Sequence, residues 1–141
     1  MKRLPGTLAL FCTLIGLAAG IGTVAAHHSA AMFDQTKLLT LTGSVVELRW
    51  TNPHVTMLVN GTVKDGDQPS DWLMETTSPG NLMRVSGWGR NSVRVGDKVV
   101  IDMAPLRDPE KQGGLMKKVT LAATGQSFDT NIRDQEKPDI E

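Results

Sequence analysis

The fold is decided by residues 36–50, which read TKLLTLTGSVVELRW. Apolar and polar side chains alternate along this stretch, as they do in a half-buried β-strand. The apolar positions change parity close to Gly43, and the two sets are Leu39, Leu41 and Val45, then Val46, Leu48 and Trp50. A parity change inside one strand is typical of a bulge or a sharp bend. It predicts a long strand that serves two sides of a small barrel.

The rest of the chain supplies shorter strands and one helix. Strands are predicted at residues 54–60, 71–77, 98–104 and 115–123, because apolar side chains alternate in each. Between the second and third of these, Ser78-Pro79 is typical of a helix start and Gly87 can end the helix. This order predicts an all-β domain with one short helix, built as a five-stranded Greek-key barrel of the OB type. A β-sandwich is the alternative architecture.

Residues 1–26 have the organisation of a secretory signal peptide. Two basic residues and an apolar run precede the small residues TVAA at 23–26. Cleavage after Ala26 would expose His27, whereas cleavage after Ala25 would expose Ala26. We therefore expect a periplasmic or secreted protein, and no stable membrane insertion once the signal peptide is removed. An uncleaved anchor is the alternative.

The remaining chain is predicted to be one domain, residues 27–124, followed by a disordered polar tail at 125–141. The tail carries five acidic against two basic residues, a composition typical of disorder. The single cysteine, Cys12, lies in the predicted signal peptide, so the mature chain would have neither a disulfide nor a thiolate ligand.

The charge balance of the chain indicates which class of partner to expect. The chain has 15 basic and 15 acidic residues, and removal of Lys2 and Arg3 leaves 13 basic residues against the same 15 acids. A mildly acidic chain lacks the basic surface that nucleic acid and anionic membranes require. The expected partner is therefore an unidentified protein or small molecule, and not a nucleic acid.

A group of short segments is similar to a known family. The segments are AHHS at 26–29, AMFD at 31–34, LTG at 41–43, WTNPH at 50–54, SPG at 78–80, GW at 87–88, GDKV at 96–99 and PLRD at 105–108. Together they resemble DUF6152, a family of small exported bacterial proteins of unknown function. The resemblance covers residues 27–125. It implies export and a single small β-rich domain, and it implies no catalytic residues.

The three histidines are the candidate metal ligands. His27 and His28 lie at the predicted mature N-terminus, and His54 follows the Trp-Thr-Asn-Pro turn. If cleavage exposes His27, its α-amine and ring can chelate one ion and His54 can add a third nitrogen. If cleavage exposes Ala26, the amine, two deprotonated amides and the His28 ring can form a square plane. Both arrangements favour Cu(II), with Ni(II) second, over zinc.

Other residues could extend or replace this site. Further candidate ligands are Met32, Met57 and Asp34. In the alternative interpretation, the two N-terminal histidines bind nothing, because chain termini are commonly polar and mobile. His54 would then only form a hydrogen bond within its turn or strand.

Three tryptophans form a candidate ligand cleft at one end of the barrel: Trp50, Trp72 and Trp88. Such a cleft would suit a protein or small-molecule ligand. The alternative is that these rings pack in the core, where large aromatic side chains contribute most to burial.

No sequence pattern indicates a catalytic centre, and no serine lies in a nucleophile-elbow motif. Glu47 and Glu75 lie on predicted strands and could face one another, although such carboxylates are more often solvated. The expected function is that of an exported binding or accessory protein, not an enzyme, with Cu(II) binding through the N-terminal histidines as the specific hypothesis. The alternative is a metal-free interaction module that uses the barrel mouth. An unrecognised hydrolase or lyase is the third hypothesis.

Overall fold

The computed structural model describes residues 30–130, and this part of the chain consists mainly of strands. In chain order the elements are the 3₁₀ helix η1 (Ala30–Met32), β1 (Leu39–Arg49), β2 (Thr56–Thr62), β3 (Ser70–Glu75), α1 (Pro79–Ser86), β4 (Lys98–Pro105), β5 (Gly113–Leu121) and β6 (Ser127–Asp129). The predicted signal peptide lies outside the described residues. Within residues 30–130, no helix combines the length and the apolar composition that a membrane crossing needs.

The strands close into a barrel because β1 pairs on both of its sides. Its first half runs antiparallel to β4, with Leu41 opposite Ile101, and its second half runs antiparallel to β2. β3 pairs with β2 and then, in parallel, with β5, where Leu73 lies opposite Gly113. With α1 between β3 and β4, the result is the predicted five-stranded OB-type barrel, and not a sandwich.

The parity change of β1 is confirmed, but its position differs from the prediction. The register against β2 breaks between Val45 and Glu47, so Val46 is the bulged residue and 46% of its surface is exposed. Gly43 keeps regular pairing, opposite Gly61 on β2. The bulge therefore lies three residues beyond the glycine, because Gly43 serves a close strand approach instead.

The helix forms as its end signals predict. The Ser78 Oγ accepts a hydrogen bond from the Asn81 backbone N–H at 3.3 Å, and Gly87 ends the helix with a φ of +64°. Leu82 is the buried residue of α1, and Trp88 directly follows the helix. Leu82 and Trp88 both belong to the main core cluster, so the helix packs on the barrel through Leu82 and the chain after it places Trp88 in the core.

The predicted disordered tail is wrong for residues 125–130. β6 pairs with β5 from Lys118 to Thr120, beyond the segment of β5 that β3 occupies. Phe128 is only 5% exposed and stacks on Trp88 with ring centroids 5.8 Å apart. The Thr130 Oγ1 also donates a hydrogen bond to the Met116 carbonyl at 2.8 Å. Strand pairing, the buried Phe128 ring and the Thr130 hydrogen bond together hold this segment on the barrel. Residues 131–141 lie outside the described residues.

Candidate functional site

His54 is held by a carboxylate from the neighbouring strand. It precedes β2, and Glu75 ends β3, where it pairs with Thr56. The His54 Nδ1 lies 2.6 Å from the Glu75 Oε1, and the two side chains are 32% and 22% exposed. An ionised carboxylate has no proton of its own to donate, so its approach to Nδ1 favours the form of His54 in which Nδ1 carries the proton. In a neutral imidazole, Nε2 is then the nitrogen with the free lone pair.

The backbone around this pair is fixed on both strands. The Val55 N–H donates to the Thr77 carbonyl at 3.0 Å, and the Thr76 N–H donates to the Val55 carbonyl at 3.0 Å. Val55 and Thr76 are both buried. His54 therefore extends from a well-anchored strand start, and its ring orientation is set by Glu75.

The N-terminal segment of the described chain is attached to the loop after β4. The Arg107 Nε donates to the Ala31 carbonyl and the Arg107 N–H donates to the Met32 carbonyl, both at 2.9 Å. Phe33, 4% exposed, forms a bridge with Leu106. These contacts fix the chain directly downstream of the predicted mature N-terminus.

One pocket is lined both by this segment and by Glu75. It has a volume of about 290 Å³ and is lined by Met32, Phe33, Leu73, Glu75, Leu106, Lys111 and Gln112. Glu75 both lines the pocket and binds the His54 ring. His27 and His28 themselves lie outside the described residues.

The described residues contain too few ligands for a metal site of their own. Between residues 30 and 130, no group of three or more His, Cys, Asp or Glu side chains could hold an ion. Met57 is fully buried in the core, so it is not available as a ligand. Asp34 accepts hydrogen bonds from Thr36 and lies 3.1 Å from the Lys37 Nζ, and these partners lower its pKa to about 2.

The tryptophans have the packing role, which was the alternative to a ligand cleft. Trp88 is fully buried, Trp50 is 8% exposed, and their ring centroids lie 6.0 Å apart. Trp72 is half-buried and packs against the same core cluster. Trp50 follows β1, Trp72 lies on β3 and Trp88 follows the Gly87 cap of α1, and all three rings pack in or against the core cluster.

Sequence reasoning missed a second pocket, on the outer face of β1, β2 and β3. It has a volume of about 250 Å³ and is lined by Glu47, Arg49, Thr56, Leu58 and Leu73. The Arg49 Nε lies 2.5 Å from the Glu47 Oε1, and this carboxylate raises the pKa of Arg49. Leu73 is 56% exposed and lines both pockets. The sequence did contain a signal for it, because Leu58 and Leu73 are apolar residues at positions that alternate with the buried ones and therefore face outward.

In the structure, Glu47 and Glu75 contact different basic residues and not one another. Glu47 is bound by Arg49 on its own strand, whereas Glu75 is bound by His54. Each carboxylate therefore has a basic partner, and the pair does not resemble a shared acid–base site.

Comparisons with known proteins give one family and one structural likeness. The family model DUF6152, described as a family of unknown function, matches residues 15–116. No curated protein gives a significant match. Among solved structures, the chain is similar to the mitochondrial single-stranded DNA binding protein Rim1 of S. cerevisiae, at 10% sequence identity and a TM-score of 0.46. That alignment covers 61% of this chain and 93% of the other.

Proposed function

The chain belongs to DUF6152, a family of unknown function, and we propose that it is an exported protein that binds Cu(II) through its processed N-terminus. His27, His28 and His54 supply the site. With cleavage after Ala26, the ligands are the α-amine and ring of His27 and the Nε2 of His54. The protein captures or delivers the ion and performs no turnover.

The observation that carries this proposal is the close contact between the His54 Nδ1 and the Glu75 carboxylate. Metal-binding histidines usually donate their second ring N–H to a carboxylate or carbonyl, which fixes the tautomer and orients the ring. Here the distance between Nδ1 and the carboxylate oxygen is 2.6 Å. Among residues 30–130, Nε2 has no hydrogen-bond partner, and the side chain is 32% exposed. His54 therefore has the arrangement of a ligand whose metal-binding nitrogen is accessible.

The ligand chemistry favours copper among the common metals. The set contains amine and imidazole nitrogens with no thiolate, which suits Cu(II) better than a structural zinc site. An α-amine has an ordinary pKa of about 8, so a metal ion can displace its proton near neutral pH. With cleavage after Ala25, the amine, two deprotonated amides and the His28 ring would hold the ion through four nitrogens.

One observation favours a second candidate function, a metal-free interaction module. Leu73 is 56% exposed between two pockets on the outer face of the barrel. Met32, which is 42% exposed, lines one of these pockets together with Leu73, and apolar side chains that form a contiguous exposed patch mark sites where a protein binds a partner. This surface replaces the tryptophan end of the barrel as the place where such a partner would bind.

Native mass spectrometry tests the copper proposal. The protein is exported from its own signal peptide and purified without a terminal tag or a chelator, so one spectrum reports both the N-terminus and any bound metal. The proposal expects a chain that starts at His27 or Ala26 and carries one copper ion. A correctly cleaved chain that stays empty at micromolar copper would contradict it.

Two variants make this test specific to the folded site, because a free N-terminal histidine binds some copper by itself. One extra residue before the mature N-terminus removes the amine from its position, and His54→Ala removes the ligand from the barrel. Both should weaken Cu(II) binding. If His54→Ala binds as tightly as the wild type, the barrel does not contribute to the site.

A further inference from the structure

The pocket that Glu75 lines has mainly apolar walls. Met32, Phe33, Leu73 and Leu106 form these walls, and the volume of the pocket is about 290 Å³. Sites for small molecules are concave and mostly apolar, with a few polar groups, and their volumes begin at about 300 Å³. The pocket therefore has the lining and the size of a site for a small ligand.

Backbone hydrogen bonds hold the walls of this pocket in place. The Leu106 N–H donates to the Gly113 carbonyl at 3.1 Å, and the Leu73 N–H donates to the Gln112 carbonyl at 3.2 Å. Phe33 is 4% exposed and forms a bridge with Leu106. The pocket is thus formed by anchored backbone, so a ligand need not order these segments when it binds.

Glu75 is the charged group of the pocket that can accept further hydrogen bonds. Its side chain is 22% exposed, and its one partner among residues 30–130 is His54. A carboxylate has two oxygens and about four acceptor sites, so most of its capacity is unused. The other charged group, Lys111, lies 3.3 Å from the Asp108 carboxylate and is 71% exposed. A carboxylate largely removed from water gains most from a donor that carries a positive charge.

From the apolar walls and this carboxylate we infer that the pocket binds a small primary amine with a compact apolar body. The apolar body is buried between the walls, and the ammonium group donates hydrogen bonds to Glu75. An alkylamine is protonated at neutral pH, as a lysine side chain is. A ligand with a carboxylate at this position is excluded, because like charges placed together are unfavourable. The inference does not depend on copper binding, since His54 does not line the pocket.

Titration of the metal-free exported protein with 2-phenylethylamine tests this inference. In protein labelled with ¹³C at the methionine methyl groups, the Met32 resonance should shift, because Met32 lines the pocket. Met83 lies on α1, does not line the pocket and should not respond. Neutral 2-phenylethanol should bind about tenfold more weakly or less, since a hydrogen bond to a charged group contributes about that factor. No Met32 shift at millimolar amine, or equal affinity for the two probes, would overturn the inference.

Two variants assign the preference for the amine to one carboxylate. Glu75→Gln should lose the preference and still bind 2-phenylethanol like the wild type. Glu47→Gln, at a carboxylate of the neighbouring pocket, should bind both probes like the wild type. If Glu75→Gln keeps the preference, or weakens both probes by the same factor, Glu75 does not recognise the ammonium and the inference is wrong.

The tripeptide Phe-Gly-Gly distinguishes a small ligand from a polypeptide, because its N-terminus carries an aromatic ring beside a free ammonium group. It should bind no more tightly than 2-phenylethylamine. Tighter binding would mean that the pocket receives the N-terminus of a polypeptide, and the assignment to a small amine would be wrong. All of these titrations are made without metal, so their failure would leave the copper proposal standing.

Discussion

Gly43 and Gly61 pair across the β1–β2 ladder so closely that neither position has room for a side chain. A Cβ on Gly43 would overlap the Asn60 carbonyl oxygen and lie 2.7 Å from the Gly61 Cα. A Cβ on Gly61 would overlap the Thr42 carbonyl oxygen in the same way. The obstructing atoms are backbone, so the two strands would have to separate where β1 passes from β4 to β2.

Alanine at either glycine should therefore destabilise the barrel. We expect Gly43→Ala and Gly61→Ala each to lower the free energy of unfolding by about 1–3 kcal/mol, the usual cost of overpacking. Gly80→Ala is the matched control, since a Cβ at this position of α1 meets nothing within 4 Å. Urea unfolding measures all three, and a Gly43→Ala variant as stable as Gly80→Ala would show that the strands can separate without cost.

The second prediction concerns the closing segment. Phe128 is 5% exposed, stacks on Trp88 and belongs to the main core cluster. Phe128→Ala should lower the free energy of unfolding by about 3–5 kcal/mol, as expected when a buried aromatic ring is removed. Gln126→Ala, at an exposed position of the same segment, should change it little. Equal urea midpoints for the two variants would mean that residues 127–129 add nothing to the stability of the core.

The barrel could be predicted because its signals are local. Alternating strands, the Ser78 cap and the left-handed Gly87 each depend on residues close in sequence. β6 lacked such a signal, since it is three residues long with one buried side chain. Its pairing depends on the edge of β5 that β3 leaves open, and this edge exists only in three dimensions.

In the candidate site, too, the sequence predicts local features but not contacts between distant residues. His54 could be identified as a ligand candidate from its residue type alone. Its partner Glu75 could not, because the two meet through the β2–β3 register, in which Thr56 lies opposite Glu75. The sequence also could not decide whether the tryptophans line a cleft or pack in the core, because both roles place the ring on the inward face of a strand.

The third prediction concerns acid. The Thr36 Oγ1 donates to the Asp34 carboxylate at 2.7 Å and Lys37 lies 3.1 Å from it, so the pKa of Asp34 falls from 3.8 to about 2. A carboxyl group with a lowered folded pKa stabilises the fold above its unfolded pKa. This contribution is complete above about pH 4 and is lost as the pH falls toward 2.

Carboxyl ¹³C NMR titration of the metal-free protein checks this value. Thr36→Val removes the largest cause of the shift and should move the Asp34 pKa upward, toward 3.8. Lys37→Met should raise it by less, because Lys37 is the smaller cause. An Asp34 pKa that does not respond to Thr36→Val would show that the hydroxyl bond does not persist in solution.

The last prediction separates Glu75 from the ligands that it orients. Glu75 lies 2.6 Å from the His54 Nδ1 and makes no contact with the metal in the proposed site. Glu75→Leu should weaken Cu(II) binding by about 10–100-fold, the usual cost of losing an outer-shell partner. Glu75→Gln should have a smaller effect, because its amide oxygen still accepts the bond but carries no charge.

Glu47→Gln is the matched control for these variants in a Cu(II) competition titration. Glu47 is a carboxylate on the same outer face, but it is bound by Arg49 and not by a histidine, so its replacement should leave Cu(II) affinity unchanged. If His54→Ala weakens binding and Glu75→Leu does not, His54 is a ligand that needs no orientation by Glu75. If Glu47→Gln and Glu75→Leu weaken binding equally, the effect is one of general negative charge near the cation. The proposal requires that Cu(II) affinity falls only when Glu75 is replaced, and that it falls less for Glu75→Gln than for Glu75→Leu. This pattern agrees with a carboxylate that fixes the tautomer of His54 and leaves Nε2 to bind the metal.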